Sequence, residues 1–112
     1  MHFADDDFFN QHLDDLKDSH HGTPRQVIDQ ALKRYDIDPK LIQGKAGQPN
    51  LVDVAREMHK LGHAGKLNNL PKYNDEFFRR LDAIKDSAGI VTEDDVWRVR
   101  DEMLRLYFGI GS

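Results

Sequence analysis

The sequence predicts an α+β domain that is predominantly helical. Apolar residues recur at helical spacing through four segments, and polar capping residues stand at the start of most of them. Only Asn50-Leu51-Val52 is short and apolar enough for a strand, so strand content is minimal. No internal repeat, low-complexity tract or linker divides the 112 residues, which fit one domain with a single modest core.

Residues 4–17 read as a helix, with Phe9, Leu13 and Leu16 on one face and Asp5, Asp6 and Asp7 near its positive N-terminal end. A break follows at Ser19–Gly22. Thr23 as N-cap and Pro24 in the first turn then open a helix to about Tyr35, with Val27, Ile28, Ala31, Leu32 and Tyr35 as its buried stripe. From Asp36 to Pro49, the breakers Gly44, Gly47 and Pro49 leave an irregular connection around Leu41 and Ile42. Asp53 is placed to cap a helix from Val54 to about Ala64, which Gly65 ends. Two more helices complete the chain. One runs from Asp75 to Ser87, capped by Asn74, with Phe77, Leu81 and Ile84 inward. The other runs from Glu93 to about Phe108, capped by Thr92, with Val96, Val99, Met103 and either Leu106 or Tyr107 inward. The expected organisation is an N-terminal helix in residues 1–18, a core in 19–66 that contains an inserted helix, and a helical pair in 67–112.

Composition narrows the chemistry. With no cysteine there is neither a disulfide framework nor a thiolate metal site, so a bound metal must be held by His, Asp, Glu or Asn. No stretch approaches the roughly 20 apolar residues of a membrane span. The acidic start, Met1 to Asp7, lacks the basic and apolar regions of a signal peptide, so export would depend on a carrier or a larger parent chain. A net charge of −4 runs against phosphate binding, yet its distribution is uneven. Residues 1–19 carry six Asp and one Lys, residues 20–66 eight Lys or Arg and five acids, and residues 67–112 seven and nine. The middle segment is thus the basic one, between acidic flanks.

That segment also holds four of the six histidines, as His20-His21 and as His59-Lys60-Leu61-Gly62-His63. Residues four apart on a helix share a face, so His59 and His63 can reach one ion. Lys60 follows His59 where the zinc-protease pattern requires Glu. Adjacent residues of an extended backbone point to opposite sides, so His20 and His21 divide labour: one imidazole completes a metal site and its neighbour faces a water close by. Phosphodiester hydrolysis needs a base for that water and a Lewis acid for the developing charge. Histidine, with an ordinary pKa near 6.5, suits the base.

The order His20-His21, Asn50, His59, His63 resembles the HNH and endonuclease VII superfamily of ββα-metal (His-Me finger) nucleases. The Asn-x8-His-x3-His spacing is similar to that of nuclease colicins, and Ser19-His20-His21-Gly22-Thr23-Pro24-Arg25 resembles the SHH-type nuclease domains of bacterial polymorphic toxins. The resemblance covers residues 19–66. It implies a small ββα-metal centre surrounded by three or four helices, with His20, His59 and His63 as ligands of one divalent ion, His21 as general base, and Asn50 fixing the loop that carries the base. It departs from the colicins in the 28 residues between His21 and Asn50, an interval too long for a regular hairpin. It further implies a metal-dependent endonuclease, preferring DNA to RNA, that is delivered by a carrier or secretion system into a target cell's cytoplasm and neutralised by a cognate immunity protein. The ligand set leaves zinc, magnesium and manganese open.

Arg25, Arg56, Lys60 and Lys66 are the candidates for phosphate oxygens, Arg25 first because it follows the His-His turn and Lys60 facing outward from the metal helix. Trp97 and Tyr107 could stack on bases, but their helical spacing fits a core better. Phe8 and Phe9 beside the aspartates fit helix packing or a protein contact; His2 and His12 receive no role. Two rival classes stand beside the nuclease: a structural-zinc module that binds protein through its helical shell, and a metal-free helical adaptor.

Overall fold

The computed structural model describes residues 17–45 and 48–110. In chain order these form β1 (Lys17–His21), α1 (Arg25–Tyr35), a 3-10 turn (Pro39–Leu41), β2 (Gly44–Lys45), β3 (Gln48–Pro49), β4 (Leu51–Ala55), α2 (Arg56–Ala64), α3 (Tyr73–Ala88) and α4 (Glu93–Phe108). The architecture is α+β and predominantly helical, as the sequence predicts. The helix expected in residues 4–17 lies outside the described residues except at Lys17, which belongs to β1; Phe8, Phe9, His2 and His12 lie outside them too.

β1 and β4 pair antiparallel in a five-residue register from Lys17↔Ala55 to His21↔Leu51. The break expected at Ser19–Gly22 is therefore a strand as far as His21, and the helix expected from Val54 starts two residues later. β-Branched Val52 and Val54 favour the extended backbone, and Asp53, opposite Ser19, points to solvent instead of capping. Strand alternation sets burial. Asp18, His20, Val52 and Val54 face inward, whereas Ser19, His21, Leu51 and Asp53 are exposed. α2 follows β4 without a loop and packs against both strands. Gly65 ends α2 in the left-handed conformation, at φ 75°.

α1 begins at Arg25, one residue later than a Thr23 cap with Pro24 in the first turn implies. Pro24 occupies the N-cap position and, having no side-chain acceptor, makes no cap bond, while the Thr23 backbone bonds the Asn50 side chain. Its buried stripe is Val27, Ile28, Ala31 and Tyr35, while Leu32 is 62% exposed. α3 begins at Tyr73, two residues before the Asp75 start that an Asn74 cap implies, with Lys72 at the N-cap position. α4 starts as expected, with Thr92 and Asp95 exchanging side-chain to backbone hydrogen bonds in a capping box. Of its two candidate inward residues, Tyr107 is buried and Leu106 is exposed. Trp97 is a core residue whose indole N–H donates to the Leu41 carbonyl at 3.1 Å. Phe77, Leu81, Val96 and Met103 join Val27 and Ala31 in one apolar cluster, with α3 and α4 packed together behind the ββα unit formed by β1, β4 and α2. Among the described residues, no helix is long and apolar enough to cross a membrane.

Candidate metal centre

The three histidines that spacing singles out converge. His20 arrives from the inner face of β1, and His59 and His63 from one face of α2. Ring centroids lie 5.1 Å (His20 to His59), 5.3 Å (His20 to His63) and 4.7 Å (His59 to His63) apart. One nitrogen from each falls within 4.8 Å of the others, a set that one ion can bridge. Burial is graded, from buried His20 through half-buried His59 to exposed His63, so the cluster opens to solvent on the His63 side.

The chemistry of the donor set fits a cation. His20 is 1% exposed, and neither of its ring nitrogens has a hydrogen-bond partner. A buried, unpartnered imidazole is costly, and a bound ion satisfies one of those nitrogens. Burial first, and the neighbouring His59 and His63 second, push the His20 pKa down to about 3. Burial and His59 also hold His63 below the usual histidine range. Both rings are thereby kept neutral, the form that donates a lone pair to a metal. Tyr73 and Phe108 hold the His20 ring edge-on, with centroids at 4.4 Å and 4.8 Å.

Asp18 belongs to the same face of β1, two residues before His20. Its carboxylate accepts from the Arg56 guanidinium at 2.9 Å and meets His59 Nδ1 at 3.0 Å. Hydrogen bonds from His59 and then Arg56 hold the carboxyl below its ordinary range. With Nδ1 committed to the carboxylate, His59 has Nε2 left for a metal, the arrangement that fixes ligand tautomer and ring orientation in metal sites. Arg56 is thus an ion-pair partner of Asp18 at the edge of the site.

On the other face, His21 is exposed and lines two neighbouring spaces. One is the cavity of about 180 Å³ that contains His20, His59 and His63; the other is a groove of about 510 Å³ alongside it. Arg25 also lines both. Lys60 and Lys66 are exposed and line neither.

The turn after His21 is held from several directions. Asn50 is 9% exposed; its amide oxygen accepts from the Thr23 N–H at 2.9 Å and its amide N–H donates to the Thr23 carbonyl at 3.0 Å. The Gly22 N–H donates to the Asn50 carbonyl at 2.8 Å, and the Tyr73 hydroxyl donates to the Gly22 carbonyl at 2.7 Å. Burial raises the Tyr73 pKa far above neutrality, so that hydroxyl remains a donor. Buried Arg100 donates to the Pro49 carbonyl at 2.8 Å and lies so close to Gly22 that a Cβ there would meet its Nε at 2.7 Å. No side chain larger than hydrogen fits at 22 without displacing Arg100.

Sequence position and the family resemblance together single out His20, His21, His59, His63, Asn50 and Arg25, which the structure brings together, and miss Asp18, Tyr73, Asn74 and Arg100. Strand parity was the available signal for Asp18: once residues 17–21 are extended, it shares the His20 face. Searches against protein-family models, curated proteins and solved structures find no match to this chain.

Proposed function

We propose that this domain is a metal-dependent endonuclease of the ββα-metal type that hydrolyses phosphodiester bonds, preferentially in DNA, and acts as an antibacterial toxin or effector domain. One observation carries the reading: two adjacent histidines are divided by strand alternation, His20 into a three-imidazole cluster and His21 onto the rim of the same cavity. His20, His59 and His63 would hold a divalent ion, which would supply a Lewis acid for the charge that develops on the phosphate.

The chain's own groups supply the rest. His21 takes the proton of the attacking water as its oxygen forms the new bond to phosphorus. The bond from phosphorus to the leaving oxygen breaks, and that oxygen is protonated from solvent. Arg25 shares the rim with His21, which supports a role in binding a non-bridging phosphate oxygen. The contacts of Asn50, Tyr73 and Arg100 with the turn restrict where His21 can point, which is what a base must satisfy before its pKa matters. Structural zinc sites usually close with four protein ligands, so three imidazoles beside a cavity favour an open, catalytic site over a structural-zinc module. The acidic flanking segments suit a basic patch on an immunity protein.

The test separates the two histidine roles. Purified protein is incubated with plasmid DNA and with total RNA under Mg, Mn, Zn or chelator. His21→Ala is expected to lower cleavage by about 10²–10⁴-fold with metal content unchanged, and His59→Ala to lower both. Wild-type cleavage rates in the His21 variant would sink the mechanism.

A further inference from the structure

The wall of the cavity among the histidines includes a buried polar atom that the mechanism above does not use. Asn74, the second residue of α3, lines this space with His20, His59 and His63, and its amide oxygen is buried without a hydrogen-bond partner. Leaving such an acceptor unsatisfied is costly, so an occupant of the cavity is expected to satisfy it. The backbone that presents Asn74 is fixed to the metal strand. Tyr73, directly before it, is fully buried, packs edge-on against His20 at 4.4 Å and donates to the Gly22 carbonyl at 2.7 Å.

Two features decide what the oxygen does. An amide oxygen is neutral and accepts a hydrogen bond without taking the proton, so it can orient a water while leaving His21 the base. A cavity of about 180 Å³ also exceeds what one ion needs. At roughly 30 Å³ per water there is space for several waters beside it. An oxygen in the wall then acts on the ion through one of them.

We propose that Asn74 is a further positioning residue of the metal site, beside the three histidines and Asp18, its Oδ1 accepting a hydrogen bond from a water in the ion's open coordination position and so orienting that water. This deepens the reading above and rests on its metal site, not on its nuclease activity.

The test is Co²⁺ titration of the metal-free full chain by calorimetry, together with the visible absorption of the Co²⁺ complex, in wild type, Asn74→Leu and Asn74→Asp. Asn74→Leu is expected to weaken Co²⁺ binding about tenfold and to shift the visible bands, as loss of an outer-shell partner does. The metal-free Leu variant should melt at or above the wild-type temperature, because an unsatisfied acceptor has been removed. Asn74→Asp, of the same shape with a negative charge, should bind Co²⁺ more tightly than wild type. Wild-type affinity and spectrum in the Leu variant, or unchanged affinity in the Asp variant, would overturn the proposal. If wild type binds Co²⁺ and the Leu variant binds it more weakly while neither cuts DNA, the nuclease reading falls and this one stands. A wild type that binds no divalent ion removes both.

Discussion

Replacing Asn50 by alanine should release the base-bearing turn, and the size of the effect follows from the bonds lost. Both hydrogen bonds of its side chain go to the Thr23 backbone in a buried setting, at 2.9 Å and 3.0 Å. Alanine leaves the Thr23 N–H and carbonyl without partners. At about 1–3 kcal/mol for each of the two buried groups left unsatisfied, the expected loss is about 2–6 kcal/mol, towards the lower end if water enters the space. For a domain of this size, that lowers the melting temperature by about 10–30 °C. Urea titration of the metal-free protein measures it directly. Asn50→Asp is the sharper probe. The new carboxylate still accepts from the Thr23 N–H but opposes the Thr23 carbonyl, so at pH 7 it should destabilise at least as much as alanine. Relative to wild type it should recover as the pH falls and a protonated carboxyl can donate again. Plasmid cleavage should fall in both variants under conditions where they remain folded, because His21 is no longer held. A loss below about 1 kcal/mol in Asn50→Ala, or no pH-dependent difference between the Asp variant and wild type, would refute this account of the turn.

Asp18→Asn should weaken metal binding about 10- to 100-fold without unfolding the protein, because one amide cannot accept from Arg56 and also fix His59 Nδ1 as a carboxylate does; Asp18→Glu should restore part of the loss, and calorimetry with Zn²⁺ that gives wild-type affinity for the Asn variant would remove Asp18 from the site. In chelator-treated protein, stability should fall as the pH drops below about 6.5, the ordinary histidine value. Buried His20, faced by His59, His63, His21 and Arg100, is held down to about pKa 3, so between these values the unfolded chain takes up a proton that the folded chain refuses. The slope from this group approaches about 1.4 kcal/mol per pH unit, and His63 adds in the same direction. Melting curves that stay flat between pH 7 and 5 would contradict the burial of His20, and saturating metal should raise the whole curve near neutrality.

What sequence reasoning reached, and what it did not, divides along the range of the interactions involved. His59 and His63 were legible because their relation lies within one helix, and α4 because its capping box and apolar stripe are local. That His20 and His21 point to opposite sides follows from parity alone. Thr23, Asp53 and Asn74 were misread because each is a good cap residue in isolation, and in each case contacts distant in sequence decide. Thr23 gives its backbone to Asn50, Asp53 lies in a ladder with β1, and Asn74 follows a tyrosine anchored on Gly22. Arg100 carries no local signal. Its place beside Gly22 exists only once α4 has packed against the turn.

The 28 residues between His21 and Asn50 bear on function as well as topology. They leave and rejoin the sheet at nearly one point. The Gly22 N–H to Asn50 bond continues the β1–β4 ladder past its last pair, and the Asn50 side chain then closes on Thr23. Lengthening a closed loop is inexpensive, at about 0.6 kcal/mol per doubling, which is of the order of one net hydrogen bond. The excursion also buries Val27 and Ala31 against the core, so its helix contributes to the stability of the whole. Its more consequential product is a wall. Arg25, Ile28, Asp29 and Gln43, all from the excursion, line the groove beside His21. A chain with the same four histidines joined by a tight hairpin would retain the metal cluster and lack that groove. The excursion therefore leaves the histidine cluster to the strands and α2 and, on the nuclease reading proposed above, shapes the surface over which a substrate strand would lie on its way to His21.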